Sequence, residues 1–433
     1  MPDWTFTDEK SLALPAVVDL RQHEELFKSV PPPFGHALHK FFGFDPEYIN
    51  LNHGSYGSLP NLVREAADKL TTLVESNPDK FIRFTSLPLL THVRERLAKF
   101  IGANTDEVVL VPNASHGINT VLKNFEWQQG DILIDATTTY NSIMKTLQYI
   151  SDITPHPQVS EFKLEFPTTH AQIISSFRDH LRSLPRQSNS PNNPQKIVAV
   201  IDSIASNPGV LLPWREMINI CREEGVWSVI DAAHSIGQEL NINVGASGCD
   251  FWITNCHKWL LAQRSCAILY VPKRNQHLIK SAFPTPYTYV SPSDESFPRF
   301  VLQFEWTGTI DVVPYLTIGT TLDFRQWLGG EEKINAYCHS VALEGGRRLA
   351  EILGTEVNIR LPIPSQIKYS WAIDQTLREQ LLNVWNTYVA HFPHNGKIWV
   401  RCSAQVWSEV SDFEHAGKAL RAICEEIVEA HGK

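Results

Sequence analysis

The segment Val226-Trp-Ser-Val-Ile-Asp231-Ala-Ala-His234, followed by Cys249-Asp-Phe-Trp-Ile-Thr-Asn255-Cys-His257-Lys258-Trp259, decides the reading of this chain. Each half is an apolar run that ends in polar, chemically able residues. The runs are too short for helices and apolar throughout, the pattern of strands buried on both faces of a parallel sheet. Further runs of the same kind lie at Glu107–Val111, Asp131–Ala136, Ile197–Asp202 and Ala267–Val271. Helical periodicity separates them at Ile118–Phe125, Ser142–Ile150 and Trp214–Glu224. Alternation of this type predicts an α/β fold with a mainly parallel sheet covered on both sides. In such sheets ligands bind beyond the carboxyl ends of the strands, where Asp231 and Lys258 stand.

Asp231 and Lys258 suit pyridoxal phosphate (PLP). A buried carboxylate keeps the cofactor's pyridine nitrogen protonated, so the ring can withdraw carbanion charge. A partly desolvated lysine amine loses its proton more readily and condenses with the aldehyde to a Schiff base. A phosphate cradle is read where strand Glu107–Val111 runs into Pro112-Asn113-Ala114-Ser115-His116-Gly117 at a helix start, since small residues there let backbone N–H groups reach an anion. The ordinary alternatives are a capping aspartate, a surface lysine and a plain strand–turn–helix.

Other classes lose support. The 433 residues carry a net charge of −9 and no Lys/Arg-rich run, which disfavours nucleic acid. No segment approaches the about 20 apolar residues of a membrane span, and MPDWTFTDEK has no signal-peptide pattern. The expectation is a cytoplasmic protein with seven reduced cysteines. Neither G-x-G-x-x-G nor a P-loop occurs, and Gly54-Ser55-Tyr56-Gly57 is not a hydrolase elbow. His257 with Cys256, and His391 with His394, lack a second pair at zinc spacing, so no metal is expected.

The motifs FGHALHKFF, NLNHGSYGSLP, NPDKFIRF, VPNASHGINTVL, IDSIASNPGV, VIDAAHSIGQ, TNCHKWL and FEWTGTIDVVPYL, in this order, resemble class V aminotransferases of PLP fold type I. The resemblance is strongest to the fungal branch of cysteine-conjugate C–S lyases that includes hercynylcysteine sulfoxide lyase of ergothioneine biosynthesis; isopenicillin N epimerase-like proteins belong to the same family. It implies a seven-stranded sheet, an N-terminal arm over 1–55 that joins a small domain at 329–433, and a large cofactor domain over 56–328. It implies that Lys258 holds PLP, Asp231 pairs with the ring nitrogen, and His234 and Asn207 approach the ring hydroxyl. Ala114 and Ser115 hold the phosphate with His257. Thr309 reaches the phosphate of a neighbouring subunit, so a homodimer is expected. Tyr140 lies over the cofactor as an acid or base for a sulfur group. Arg401 clamps an amino-acid carboxylate with a bidentate fork, His53 and Gly54 line the pocket opposite it, and Arg83 takes a second carboxylate. Cys338 reads as helical and Cys402 as strand, so neither suits the loop nucleophile of a desulfurase. The expected activity is β-elimination from an S-substituted cysteine or its sulfoxide. An epimerase, an aminotransferase, a decarboxylase or cyclase of secondary metabolism, and a non-catalytic binding protein remain as alternatives.

Overall fold

The computed structural model describes residues 23–187, 194–280, 283–285, 289, 300–355 and 359–431. The first part of the predicted arm, most of the polar loop at Gln187–Gln195 and most of the proline-rich stretch at 283–298 fall outside them. The strands are β1 (Ile49–Asn50), β2 (Val108–Val111), β3 (Ile132–Ala136), β4 (Gln158–Phe162), β5 (Ile197–Asp202), β6 (Trp227–Asp231), β7 (Phe251–Asn255), β8 (Ala267–Tyr270), β9 (Thr387–Tyr388), β10 (Ala390–His394) and β11 (Lys397–Arg401).

Seven strands form the main sheet in the order β2-β8-β7-β6-β5-β3-β4. From β7 to β4 all neighbours are parallel, and β8 runs antiparallel to both β7 and β2. The apolar runs have a physical reason. On β5, Ile197, Ala199 and Ile201 pack with Trp214, Met217 and Ile218, while Val198 and Val200 pack with Ile118, Val121 and Leu147 on the other side. A strand covered twice has no polar face, so alternation disappears. Edge strand β4 escapes this criterion, because only Phe162 of its five residues is buried.

The C-terminal part departs from expectation at one element. A helix over Thr376–Phe392 is predicted, but the helix is Trp371–Asn383, and β9 and β10 follow it. The helix ends at Asn383, and Asn386 takes a left-handed φ of 45° in the turn that leads into β9. Asn395 and Gly396, at φ 50° and 69°, then form the two-residue turn between β10 and β11. Such a pair is the strongest short hairpin signal in a sequence. The arm also has more structure than its proline run implies, with a helix at Glu24–Lys28 and a 3-10 helix at His36–Phe41. Parallel pairing of β1 with β9 and the bond from Ser403 N–H to the Leu51 carbonyl (2.7 Å) attach it to the C-terminal elements. Leu51, Leu377, Val389, Ile398 and Phe413 share one core there, with helices Glu331–Leu353 and Val410–His431. No helix among the described residues is long and apolar enough to cross a membrane.

Arg325 links these parts. Its side chain is almost wholly buried and donates from Nε and Nη2 to the Glu331 carboxylate, both at 2.6 Å. It also donates to the carbonyls of Trp259 (2.8 Å) and Gly237 (3.3 Å). Replacing Arg325 with Met strands two carbonyls and leaves Glu331 unpaired. The unfolding free energy, read by urea titration, is expected to fall by about 3–5 kcal/mol.

Candidate active site

Four strand ends and the turns after them build one cleft. β6 delivers Asp231, Ala233 and His234; β7 delivers Asn255 and Lys258; β5 delivers Asp202 and Ser206; the turn after β2 delivers Ala114 and Ser115, and Tyr140 stands at the start of helix Asn141–Asp152. Counting the space that opens to solvent, the cleft holds ≈ 320 Å³.

Lys258 Nζ lies 3.4 Å from His234 Nε2. Burial lowers the lysine's pKa to about 8; the Asp231 charge opposes that shift and Arg401 adds to it. His234 is buried, and its pKa falls well below the usual value through desolvation and the nearby cations Lys258 and Arg401. Its Nδ1 accepts the indole N–H of Trp259 at 3.1 Å. A neutral imidazole that accepts at Nδ1 carries its hydrogen on Nε2, so His234 turns an N–H donor toward Lys258. Burial raises the pKa of Asp231, while the Ala233 N–H (3.0 Å) and the charge of Lys258 favour its ionised form.

At the helix that starts with Ala114, two donors are already engaged. Ala114 N–H bonds Asn255 Oδ1 (2.9 Å), and His116 N–H bonds Asn113 Oδ1 (2.8 Å). The Ser115 N–H has no partner among the described residues, and its hydroxyl is 3.3 Å from Ser142 Oγ. The free donor therefore sits at the second helical residue. Sequence reasoning gives no role to Asn255, Asp202 and Ser206, although they lie inside the quoted stretches TNCHKWL and IDSIASNPGV.

Arg401 closes one side. It donates to the Ser206 carbonyl (2.6 Å), Asn52 Oδ1 (3.2 Å) and Ser55 Oγ (3.0 Å). Its Nε is buried without a partner, and burial lowers its pKa to about 10. Asn207 Oδ1 is likewise buried and unpartnered. These orphaned atoms, the free Ser115 N–H and a lysine of lowered pKa opposite a carboxylate fit pyridoxal phosphate and an amino-acid carboxylate.

The remaining predicted residues lie elsewhere. His53 does not line the cleft. Its Nε2 bonds the Lys258 carbonyl at 2.9 Å, its ring meets Trp259 and Trp407 edge-on, and burial lowers its pKa to about 3. Gly54 packs behind it, where an added Cβ meets the Trp259 ring at 3.0 Å. His257 bonds the Cys266 carbonyl through Nδ1 (3.0 Å), and its pKa falls to about 4 by burial, so it is neutral and points away from the cleft lining. Arg83 is exposed and bonds Asp79 at 3.3 Å. Thr309 is exposed on the single chain. No cysteine lines the cleft; Cys256 and Cys338 are buried, and burial raises the Cys402 thiol to about 12. His391 is tied to Asp374 (2.9 Å) and His394 accepts the Phe166 N–H (2.9 Å), so both serve packing.

The Aminotransferase class-V family model matches residues 82–366. The chain belongs to the class-V aminotransferases. Within that family it is 32% identical to the L-cysteine desulfhydrase-like protein lolT1 of Epichloe uncinata, over 92% of this chain and 97% of the other. It is 30% identical to hercynylcysteine sulfoxide lyase of Schizosaccharomyces pombe, over 90% and 98%. Among solved structures, a cystine C–S lyase (C-DES) complexed with cysteine persulfide superposes with TM-score 0.68 at 17% identity, covering 87% of this chain and 98% of that one. A cysteine desulfurase from Thermococcus onnurineus NA1 gives TM-score 0.72 at 15% identity, covering 92% and 100%. At those identities the structures establish the shared fold, with its seven-stranded, mostly parallel sheet.

In this class-V aminotransferase the lysine of the cleft is set apart by its surroundings. In protein freed of PLP, Lys258 is expected to react with an amine-selective reagent at a rate that rises with pH to half its maximum near pH 8. Lysines in water need pH near the ordinary value of 10.5. Peptide mapping after short labelling at pH 8 checks this; labelling that leaves Lys258 behind the surface lysines contradicts it.

Proposed function

We propose that the protein is a PLP-dependent C–S lyase that breaks the Cβ–S bond of cysteine, an S-substituted cysteine or its sulfoxide. The observation that carries this reading is the Lys258 amine, buried to a pKa of about 8 and set opposite Asp231 at the ends of β6 and β7. Support for the sulfur substrate comes from near full-length relatives named as a cysteine desulfhydrase-like protein and a sulfoxide lyase. Bound PLP supplies an electron sink for the charge left when an amino acid loses its Cα proton.

The protein's own groups do the rest. Lys258 Nζ would hold the cofactor and, as a free neutral amine, would serve as the base for the substrate's Cα proton. Asp231 keeps the ring nitrogen protonated. The Nε2–H of His234 and the amide of Asn207 serve the ring hydroxyl, and the Ser115 N–H and hydroxyl serve the phosphate. Arg401 orients the substrate carboxylate, its Nε being the buried donor left without a partner. Tyr140 is 49% exposed at the cleft mouth, where its hydroxyl can hand a proton to the departing sulfur. With no cysteine in the lining, sulfur leaves as a thiolate or sulfenate and is not captured by the enzyme. The aminoacrylate released hydrolyses to pyruvate and ammonia. In a homodimer, the exposed Thr309 contributes to the neighbouring subunit's phosphate site.

Two experiments test the reading. Incubated with cysteine, cysteine conjugates and their sulfoxides in deuterated water, the enzyme is expected to form pyruvate from at least one of them. With Tyr140→Phe, α-deuterium exchange continues while pyruvate formation slows. Inverted, deuterated substrate without pyruvate marks an epimerase instead, and a need for an amino acceptor marks an aminotransferase. For the clamp, Arg401→Lys keeps the charge and loses the fork. Substrate binding is expected to weaken by about 1.5–3 kcal/mol, as for a lost hydrogen bond to a charged group, with PLP content unchanged; unaltered kinetics remove Arg401 from the site.

A further inference from the structure

Beside Asp231 stands a second carboxyl group that the mechanism above does not use. β5 and β6 are in register at their ends, with Asp202 opposite Asp231. In a parallel pair, residues so aligned project from the same face, one strand spacing of roughly 4.8 Å apart. That face is the one packed by helix Ala114–Asn124, as Val198, Val200 and Val229 on the same strands show. Both carboxyl groups line the cleft, and the two residues are 5% and 4% exposed.

Their surroundings differ. Asp231 accepts the Ala233 N–H and faces Lys258. The Asp202 carboxyl has neither a hydrogen bond nor an ion pair among the described residues. The charged groups acting on it are acidic: Asp231, and Asp135 on β3, whose buried Oδ1 is itself unpartnered. Two adjacent carboxyl groups shielded from most water, one of them without any donor, disfavour double ionisation, so one proton stays with the pair. The group without donors keeps it, because a poorly solvated carboxylate with no hydrogen-bond donor is the costlier state.

We propose that Asp202 is a positioning residue whose protonated carboxyl shares its hydrogen with Asp231, so that Asp231 is the ionised member of the pair and is held for the cofactor's ring nitrogen. Burial and repulsion from Asp231 and Asp135 push the Asp202 carboxyl well above the ordinary range, in line with this geometry. The inference rests on the reading of Asp231 as the ring-nitrogen partner, and the test separates the two.

Parent protein, Asp202→Asn, Asp202→Leu and Asp231→Asn are prepared without PLP. Infrared difference spectra of parent against Asp202→Asn are expected to show the carbonyl band of a protonated carboxyl in the parent alone. In equilibrium titration with PLP, Asp202→Asn, which still donates a hydrogen, keeps the parent's affinity within about threefold, whereas Asp202→Leu loses about tenfold, the scale of one hydrogen bond. Absence of the protonated-carboxyl band overturns the proposal. So does an asparagine variant as impaired as the leucine one, since charge and not a shared hydrogen is then required. Should Asp202→Leu fail to fold, the infrared band and the asparagine titration still decide. Asp231→Asn that binds PLP like the parent removes the underlying reading of Asp231, a failure visible without any Asp202 variant.

Discussion

The buried guanidinium of Arg325 is the constraint on which the active-site framework depends. One planar group satisfies the carbonyl of Trp259 just after Lys258, the carbonyl that ends the turn after β6, and the carboxylate that opens the long helix Glu331–Leu353. Two turns carrying Lys258 and His234 are thereby fixed to each other and to the C-terminal elements. A lysine side chain has one nitrogen and cannot make this set of bonds, which explains why an arginine occupies a site of nearly complete burial. On the opposite side, His53 bonds the Lys258 carbonyl, and Gly57 lies so near the His257 carbonyl that a Cβ there meets it at 1.7 Å. The lysine turn is thus braced by both the arm and the core.

Desolvation then does the chemical tuning. The same burial lowers Lys258 to about 8, holds His234 neutral and leaves Arg401 with an orphaned donor. In water near neutral pH the amine and the guanidinium are cationic and the imidazole is partly so. Burial, with repulsion among the cations as a smaller contribution, leaves the imidazole neutral and makes the amine easier to deprotonate. What results is a site with one permanent positive charge, at Arg401, and a lysine poised between its two forms.

The central sheet was legible because each inner strand is apolar on both faces; Ile197–Asp202 is the same in sequence and structure. Asp231, Lys258 and the Ala114–Ser115 turn were legible because they follow such runs directly. Other features were not. β4 is an edge strand with water on most of its side chains, and β9 and β10 follow a true helix whose pattern runs on by chance past its end at Asn383. The placement of His53 and His257 depends on which carbonyl each ring finds, Lys258 or Cys266, and no one-dimensional pattern encodes that. Asp202 stayed hidden for another reason: although it lies in the stretch IDSIASNPGV, its place at the end of an apolar strand says nothing of a partner until register sets it against Asp231.

The parallel pairing of β1 with β9 carries a kinetic consequence. The bond from the Thr387 hydroxyl to the Ile49 carbonyl spans 338 residues of chain, and Arg401 meets Asn52 and Ser55 across a similar interval. Contacts of such long sequence separation form late, because the entropy of closing the loop is lost before the contacts repay it. During synthesis the seven-stranded sheet, with Lys258 and Asp231, has left the ribosome well before β11 does. The emerging chain therefore has both Asp231 and Lys258 in place while Arg401 and its bonds to Asn52 and Ser55 do not yet exist, and that corner is the last part of the cleft's surroundings to form.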